Sequence, residues 1–196
     1  MSAILQKEEK VLRKIAKEVP ISSITTPKIK KILKEMSMSL ATQDDGVAIA
    51  APQIGYSLRI FVVSGKIFEA EFSKRGLSQD DGPRGSAPRA RGDSDPSQKD
   101  SAVRVKDIVF INPVISKLSR DKEWMPEGCL SVRPIYGKTY RSKKALVTAY
   151  DENGKKFTRG GSGLLAQIFQ HETDHLNGIL FIDHAKDLKE ELPQGK

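Results

Sequence analysis

Apolar residues recur at helical spacing in two stretches of this chain and alternate or run together in several shorter ones. In the first helical stretch Ile29, Ile32, Leu33, Met36 and Leu40 fall on one face. Thr26 ahead of Pro27 supplies an N-cap residue and a proline at the first helical position, and Asp44-Asp45-Gly46 closes the pattern, so a helix is predicted over about 27–42. Leu58–Val63 (LRIFVV) reads as a strand rich in β-branched residues, as does Asp107–Asn112 (DIVFIN), which ends at Pro113. Val114–Leu118 is a further strand or an extension of that one. Lys144–Tyr150 (KALVTAY), then Asp151-Glu152-Asn153-Gly154, then Lys155–Thr158 predict a hairpin, because Asn-Gly between apolar runs suits the tight turn. Residues 4–20 carry Leu5, Val11, Leu12, Ile15 and Val19 in a mixed extended and helical pattern.

The second helical stretch starts near Ser162 or Gly163. Leu164, Ile168, His171 and His175 form one stripe, Leu165, Phe169 and Leu176 a second, and Glu172 lies between them. With two apolar stripes this helix is expected at the centre of the molecule, stopping at Asn177-Gly178 in a left-handed turn. Strands and helices do not alternate as βαβ units. The predicted class is α+β, with mainly antiparallel sheets packed around the central helix and a further helix toward the N-terminus.

One segment breaks the pattern. Of the 30 residues from Ser73 to Ala102, 13 are Gly, Pro or Ser and only Leu77 is large and apolar. Such a stretch buries too little surface to offset its chain entropy, so a disordered insertion is expected at about 66–106 within a single domain spanning 1–196. The remaining composition is that of an ordinary globular chain, 38% hydrophobic and 30% charged. No apolar run approaches the ~20 residues of a membrane-spanning helix, and the N-terminal residues lack the pattern of a secretory signal, so a cytoplasmic location is expected. The net charge of +8 raises attraction to RNA or ribosomes, but the basic residues are spread out without interleaved aromatics, which favours a solvated surface. The single cysteine, Cys129, excludes an internal disulfide.

Chemistry concentrates in His171-Glu172-Thr173-Asp174-His175. Residues i and i+4 share a helix face, so both imidazoles can point at one ion, with Glu172 in reach of a water on it. A solvated helix with two histidines one turn apart is the plain alternative, but here the histidines ride an apolar stripe and need partners. A catalytic zinc-type site takes three protein ligands and leaves a position open. No zinc-peptidase extension follows His175. Upstream, Cys129 sits in a glycine-flanked turn and offers a thiolate as the third ligand. A second segment, Gly46-Val47-Ala48-Ile49-Ala50-Ala51-Pro52-Gln53, is dominated by small residues that let a backbone or ligand come close, with one polar side chain, Gln53, among them.

Three motifs together, Gly46–Gln53, Glu127-Gly128-Cys129-Leu130-Ser131 and Gln170–His175, give a chain that resembles the peptide deformylases. The resemblance extends over essentially the whole sequence apart from the insertion. It implies a metallohydrolase that removes the N-formyl group from the initiator methionine of new polypeptides. One ion, usually Fe(II) with Zn, Ni or Co as substitutes, would be held by Cys129, His171 and His175. A metal-bound water would attack the formyl carbonyl, with Glu172 as general base and then acid, while the Gln53 amide and the Leu130 N–H stabilise the oxyanion. The backbone at Gly46, Val47 and Ala48 would pair with the substrate as an added strand, and the methionine side chain would enter a pocket of Val47, Leu164, Gln167, Ile168 and the His171 ring. Partners implied are N-formyl-methionyl nascent peptides and a transient ribosome contact, with no DNA and no membrane. Ala48 stands where the family commonly has glycine, and Gln167 where an apolar residue often lines the pocket. Two other readings are a metallopeptidase cutting internal peptide bonds, suggested by His-Glu-x-x-His alone, and a basic RNA- or ribosome-binding module without catalysis.

Overall fold

The computed structural model describes residues 2–69 and 105–190. It divides into two compact units, residues 1–64 with 107–196 and residues 65–106. In the smaller unit the described residues form one helical turn at 66–69, with the Val105 N–H donating to Glu69 Oε1 at 2.9 Å. The core of the expected insertion, residues 70–104, lies outside the described residues.

The larger unit is mixed α+β. Its strands are β1 (Ala48–Ala50), β2 (Ile60–Val63), β3 (Ile108–Leu118), β4 (Lys122–Gly128), β5 (Ile135–Ser142), β6 (Lys144–Tyr150), β7 (Lys156–Ser162) and β8 (Lys186–Glu190). They form a five-stranded sheet in the order β1-β2-β3-β6-β7 and a three-stranded sheet in the order β4-β5-β8, and every pairing is antiparallel. Among the described residues of this unit, two α-helices accompany them, α1 (Pro27–Ala41) and α2 (Leu164–Leu176). Among the described residues, no helix is long and apolar enough to cross a membrane.

Strand β2 and the first part of β3, Val109–Ile111, are buried on both faces, which explains their continuous apolar runs. One face, Ile60, Val62, Val109 and Ile111, joins the α1 stripe of Ile29, Ile32, Leu33, Met36 and Leu40 in one cluster. The other presents Phe61 and Phe110, stacked at 4.5 Å, to Phe169 of α2, whose ring meets Phe110 edge-on at 5.3 Å. The α2 helix can come this close to β7 because Gly161 has no Cβ, which would lie 2.8 Å from Leu165 Cγ. At its C-terminus the Gly178 N–H bonds to His175 O and the Ile179 N–H to Asp174 O, and Gly178 takes φ 75°. This double closure needs a left-handed residue, which glycine supplies without a steric cost.

Several local expectations change. Thr26 stands at the N-cap position of α1, but its hydroxyl donates backward to Ser23 O at 2.7 Å instead of capping the helix. Of the two readings of Val114–Leu118, the extension holds: residues 108–118 are one strand that runs through Pro113, bent where the register shifts between Ile111 and Val114. Asn112 absorbs the bend at φ 50° and locks it, its amide donating to Val19 O at 2.7 Å and its oxygen accepting from the Val19 N–H at 2.8 Å. Leu164, placed on an apolar stripe by the sequence, is 48% exposed as the first residue of α2. The segment after Ile182, for which no element was predicted, continues into β8. The whole three-stranded sheet was not expected.

Candidate metal centre and active site

Helix α2 delivers His171, Glu172 and His175 from one buried face, and the loop that follows β4 delivers Cys129 to the same place. The ligand atoms of Cys129, His171 and His175 all lie within 4.8 Å of one another. Cys129 Sγ is 3.2 Å from His175 Nε2 and accepts from the Ser131 N–H at 3.4 Å. His171 turns its Nδ1 to Glu127 Oε1 at 2.6 Å, which leaves Nε2 for a ligand. One thiolate and two imidazoles are a donor set for a borderline or soft divalent ion, and a carboxylate behind one imidazole is the usual support of such a ligand. The residues fit a metal.

Beneath His171 lies a network that the sequence did not announce. The Glu127 carboxylate accepts from Arg141 Nη2 at 2.7 Å, Arg141 Nε at 3.1 Å, Thr139 Oγ1 at 2.5 Å and Gln167 Nε2 at 3.2 Å. Arg141 also reaches Asp174 Oδ2 on α2 at 2.6 Å. Burial works against the charge on Glu127, yet the hydrogen bonds from His171 and Arg141 outweigh it and hold the carboxyl well below its ordinary range. Burial likewise opposes a charge on His171, but Cys129 and Glu127 beside it raise its proton affinity well above that of a free imidazole. On His175 burial prevails, helped by the charge of His171, and keeps the ring neutral. Gln170 fastens α2 to the end of β5, accepting from the Ser142 N–H and donating to Ser142 O, each at 3.0 Å.

Glu172 is 3% exposed, and its Oε2 has no hydrogen-bond partner among the described residues. Burial pushes its carboxyl up to about 7, an effect that His171 lessens and the charges of Glu127 and Asp174 reinforce. A buried acceptor without a partner, beside three converging ligand atoms, is a place for a water or another proton donor. Gln53 faces the sulfur from the opposite wall. Its Oε1 accepts from the Ala50 N–H at 2.7 Å, and its Nε2 lies 3.1 Å from Ser131 Oγ and 3.6 Å from Cys129 Sγ.

These groups open into a cavity of about 370 Å³. Gly46, Val47, Ala48, Gln53, Leu130, Leu164, Gln167 and Ile168 all line it with Cys129, His171 and Glu172, so every residue singled out in the sequence meets here except His175, which is 1% exposed beneath the floor. Gln167 has its amide tied to Pro126 O at 2.8 Å as well as to Glu127, so a polar residue in this wall is already satisfied. Sequence reasoning missed Arg141, Asp174 and Thr139, and gave Glu127 and Ser131 no role. The signal for Arg141 and Thr139 was their alternation with exposed residues along β5. Arg133 and Asp45, ion-paired with each other, also line the cavity and were not foreseen.

A helix-borne His-Glu-x-x-His with a distant cysteine, set in a mixed α+β frame, defines the class of metal-dependent hydrolases. A family model described as polypeptide deformylase matches residues 1–191. Peptide deformylase 2 of Clostridium acetobutylicum is 35% identical over 177 residues, covering 90% of this chain and 89% of that protein. The peptide deformylase of Fusobacterium nucleatum is 35% identical over 184 residues, covering 94% and 83%. A crystal structure of a peptide deformylase from Legionella pneumophila matches with TM-score 0.70 at 31% identity, over 95% of this chain and 87% of that one. A Met-Ala-Ser-bound class I type b peptide deformylase from Acinetobacter baumannii matches with TM-score 0.69 at 27% identity, over 93% and 97%. The chain belongs to the polypeptide deformylase family, hydrolases that remove N-formyl groups from nascent peptides.

Proposed function

We propose that Cys129, His171 and His175 hold one ion, Fe(II) in the cell with Zn, Ni or Co able to replace it, and that the cavity above them deformylates N-terminal methionine. The observation that carries this reading is the meeting of those three ligand atoms with the unpartnered Glu172 carboxylate in one cavity. When bound, such an ion supplies Lewis acidity, which makes a water nucleophilic near neutral pH and polarises a carbonyl oxygen.

Glu172 takes the proton of the attacking water and returns it to the departing amine nitrogen as the formyl C–N bond breaks, leaving formate and a free N-terminus. A carboxyl raised by burial to about 7 is matched to both tasks. Gln53 Nε2 donates to the oxygen that gains charge at the formyl carbon, and the Leu130 N–H is the second donor. The bond from the Ala50 N–H to Gln53 Oε1 supports this role, since it fixes which end of the amide faces the sulfur.

The peptide binds along Gly46, Val47 and Ala48. Strand β1 ends the order of its sheet and pairs on one side with β2, an edge suited to strand addition. The methionine side chain occupies the wall formed by Val47, Leu164, Gln167 and Ile168. The protein works in the cytoplasm on chains leaving the ribosome, with a transient ribosome contact favoured by its net charge of +8. The test is formate release from formyl-Met-Ala-Ser by protein loaded with Fe(II) or Ni(II) and handled without oxygen, alongside measured metal content. Glu172→Ala is expected to abolish turnover while metal is retained, and full activity in that variant refutes the assigned chemistry.

A further inference from the structure

The three-stranded sheet has two unlike faces. Along β4 and β5, Met125, Glu127, Thr139 and Arg141 are buried, whereas Lys122, Trp124, Pro126, Lys138 and Tyr140 stand exposed on the other side. Antiparallel register sets Trp124 opposite Tyr140 and Pro126 opposite Lys138, while β8 adds Lys186 opposite Lys138 and Lys189 opposite Tyr136. The Trp124 and Tyr140 rings lie 5.3 Å apart and remain 43% and 53% exposed. Lys186 Nζ stands 4.8 Å above the indole and Lys122 Nζ 5.9 Å from the phenol ring. Lys138 is bound to Asp187 at 3.1 Å, but among the described residues Lys122, Lys186 and Lys189 make no ion pair.

We propose that this face binds single-stranded RNA, with bases stacking on Trp124 and Tyr140 and phosphates meeting Lys122, Lys186 and Lys189. Exposed aromatic planes on a sheet, bordered by cations, are the chemistry that holds unpaired bases. An exposed cation–π contact is weaker than a base–aromatic stack, so each lysine can leave its ring to a base and turn to the adjoining phosphate. An acidic peptide would satisfy the lysines but gain nothing from two ring faces. A lipid surface takes up a broad apolar face, and among the residues named here only Pro126 adds apolar area to the two rings. Pro126, Gly128 and Tyr136 also line the catalytic cavity, so the face runs up to its rim and RNA bound there would lie beside a peptide N-terminus entering the site. The proposal gives the ribosome contact above a surface and rests on that reading for its setting, although its test does not depend on turnover.

Trp124 is the only tryptophan in the chain, so its fluorescence reports this face directly. The metal-loaded protein is titrated with a mixed-sequence 12-nucleotide single-stranded RNA at several salt concentrations. Saturable quenching is expected, with log affinity falling by about 2 per decade of salt for three phosphate contacts. The Lys122→Glu/Lys186→Glu double variant and Tyr140→Ala should each weaken binding about tenfold or more, with unchanged formate release from formyl-Met-Ala-Ser. Absence of quenching, RNA affinity unaltered in these variants, or equal affinity for polyglutamate or for phosphatidylglycerol vesicles overturns the proposal. If the wild type binds RNA but releases no formate, the catalytic reading fails and this one stands.

Discussion

Replacing Glu127 by glutamine keeps the shape of the side chain and removes its charge, which isolates what the carboxylate does for the metal site. In the native protein one oxygen takes the His171 Nδ1 proton at 2.6 Å and Arg141 Nη2 at 2.7 Å, while the other takes Thr139, Arg141 Nε and Gln167. An amide offers one acceptor and turns an NH₂ toward donors, so at least two of these bonds are lost or reversed. Loss of such support behind a ligating histidine costs 10–100-fold in metal affinity, or about 1.4–2.7 kcal/mol. A second cost falls on the fold, because Arg141 is buried and keeps only Asp174 as a charged partner. Stripping one member from a buried ion pair costs about 3–5 kcal/mol, and the remaining aspartate places this case toward the lower end. Chelator competition measures the metal affinity, and urea unfolding of the metal-free protein measures the stability term separately. Glu123→Gln, an exposed change on the same strand, serves as the control and should alter neither. A folded Glu127→Gln protein that binds its ion as tightly as the wild type would show that His171 is positioned without Glu127, and the reasoning would be wrong.

The raised proton affinity of Glu172 has a signed consequence for the metal-free protein. Its native value of about 7 exceeds the ordinary 4.5, so wild-type stability falls as pH rises from 4.5 to 7 and the penalty persists above. Glu172→Gln should therefore be more stable than the chelator-treated wild type at pH 8 by up to roughly 3 kcal/mol, with no difference near pH 4, and a pH-independent gap in urea unfolding would contradict this. Gln53→Ala should lower kcat by about 10²–10³ with a smaller change in KM in the formate assay, as expected for a donor that acts on the developing oxyanion. Asn112→Ala loses both side-chain bonds to Val19 and puts alanine at φ 50°, so it should destabilise the fold by roughly 2 kcal/mol or more, measured as a lower urea midpoint at unchanged slope.

What could be read from the chain depended on whether a local pattern carried it. Both helices, strands β2 and β3 and the β6–β7 hairpin declare themselves through apolar period or turn chemistry, and all are present. Strands β4 and β5 alternate too, but Met125 is their one buried large apolar residue and Glu127, Thr139, Arg141 and Ser142 are polar, so a hydrophobic pattern search passes over them. β8 is exposed at all five positions and exists through its pairing with β5, which no local signal reveals. The same division holds in the site. His171, Glu172 and His175 follow from helical spacing, whereas Arg141 meets Glu127 and Asp174 only after β5 has paired with β4 and packed on α2.

That division bears on why the site suits a cation. Helix α2 alone would bring two imidazoles and two acids, Glu172 and Asp174, a set that a solvated surface could tolerate. The rest of the fold adds the Cys129 thiol and the Glu127 carboxylate, and it sets Arg141 against Glu127 and Asp174, where its charge is already spent. With Cys129 and Glu172 ionised, the centre would carry more negative charge than its own residues can neutralise. Protons can relieve part of this, in keeping with the raised proton affinities of His171 and Glu172. Cys129, His171 and His175 would hold a divalent ion, and its positive charge would offset that excess and favour the ionised form of Glu172 beside it. The unpredicted sheet thus gives a helical histidine pair the carboxylate that supports His171 and the guanidinium that holds that carboxylate in place.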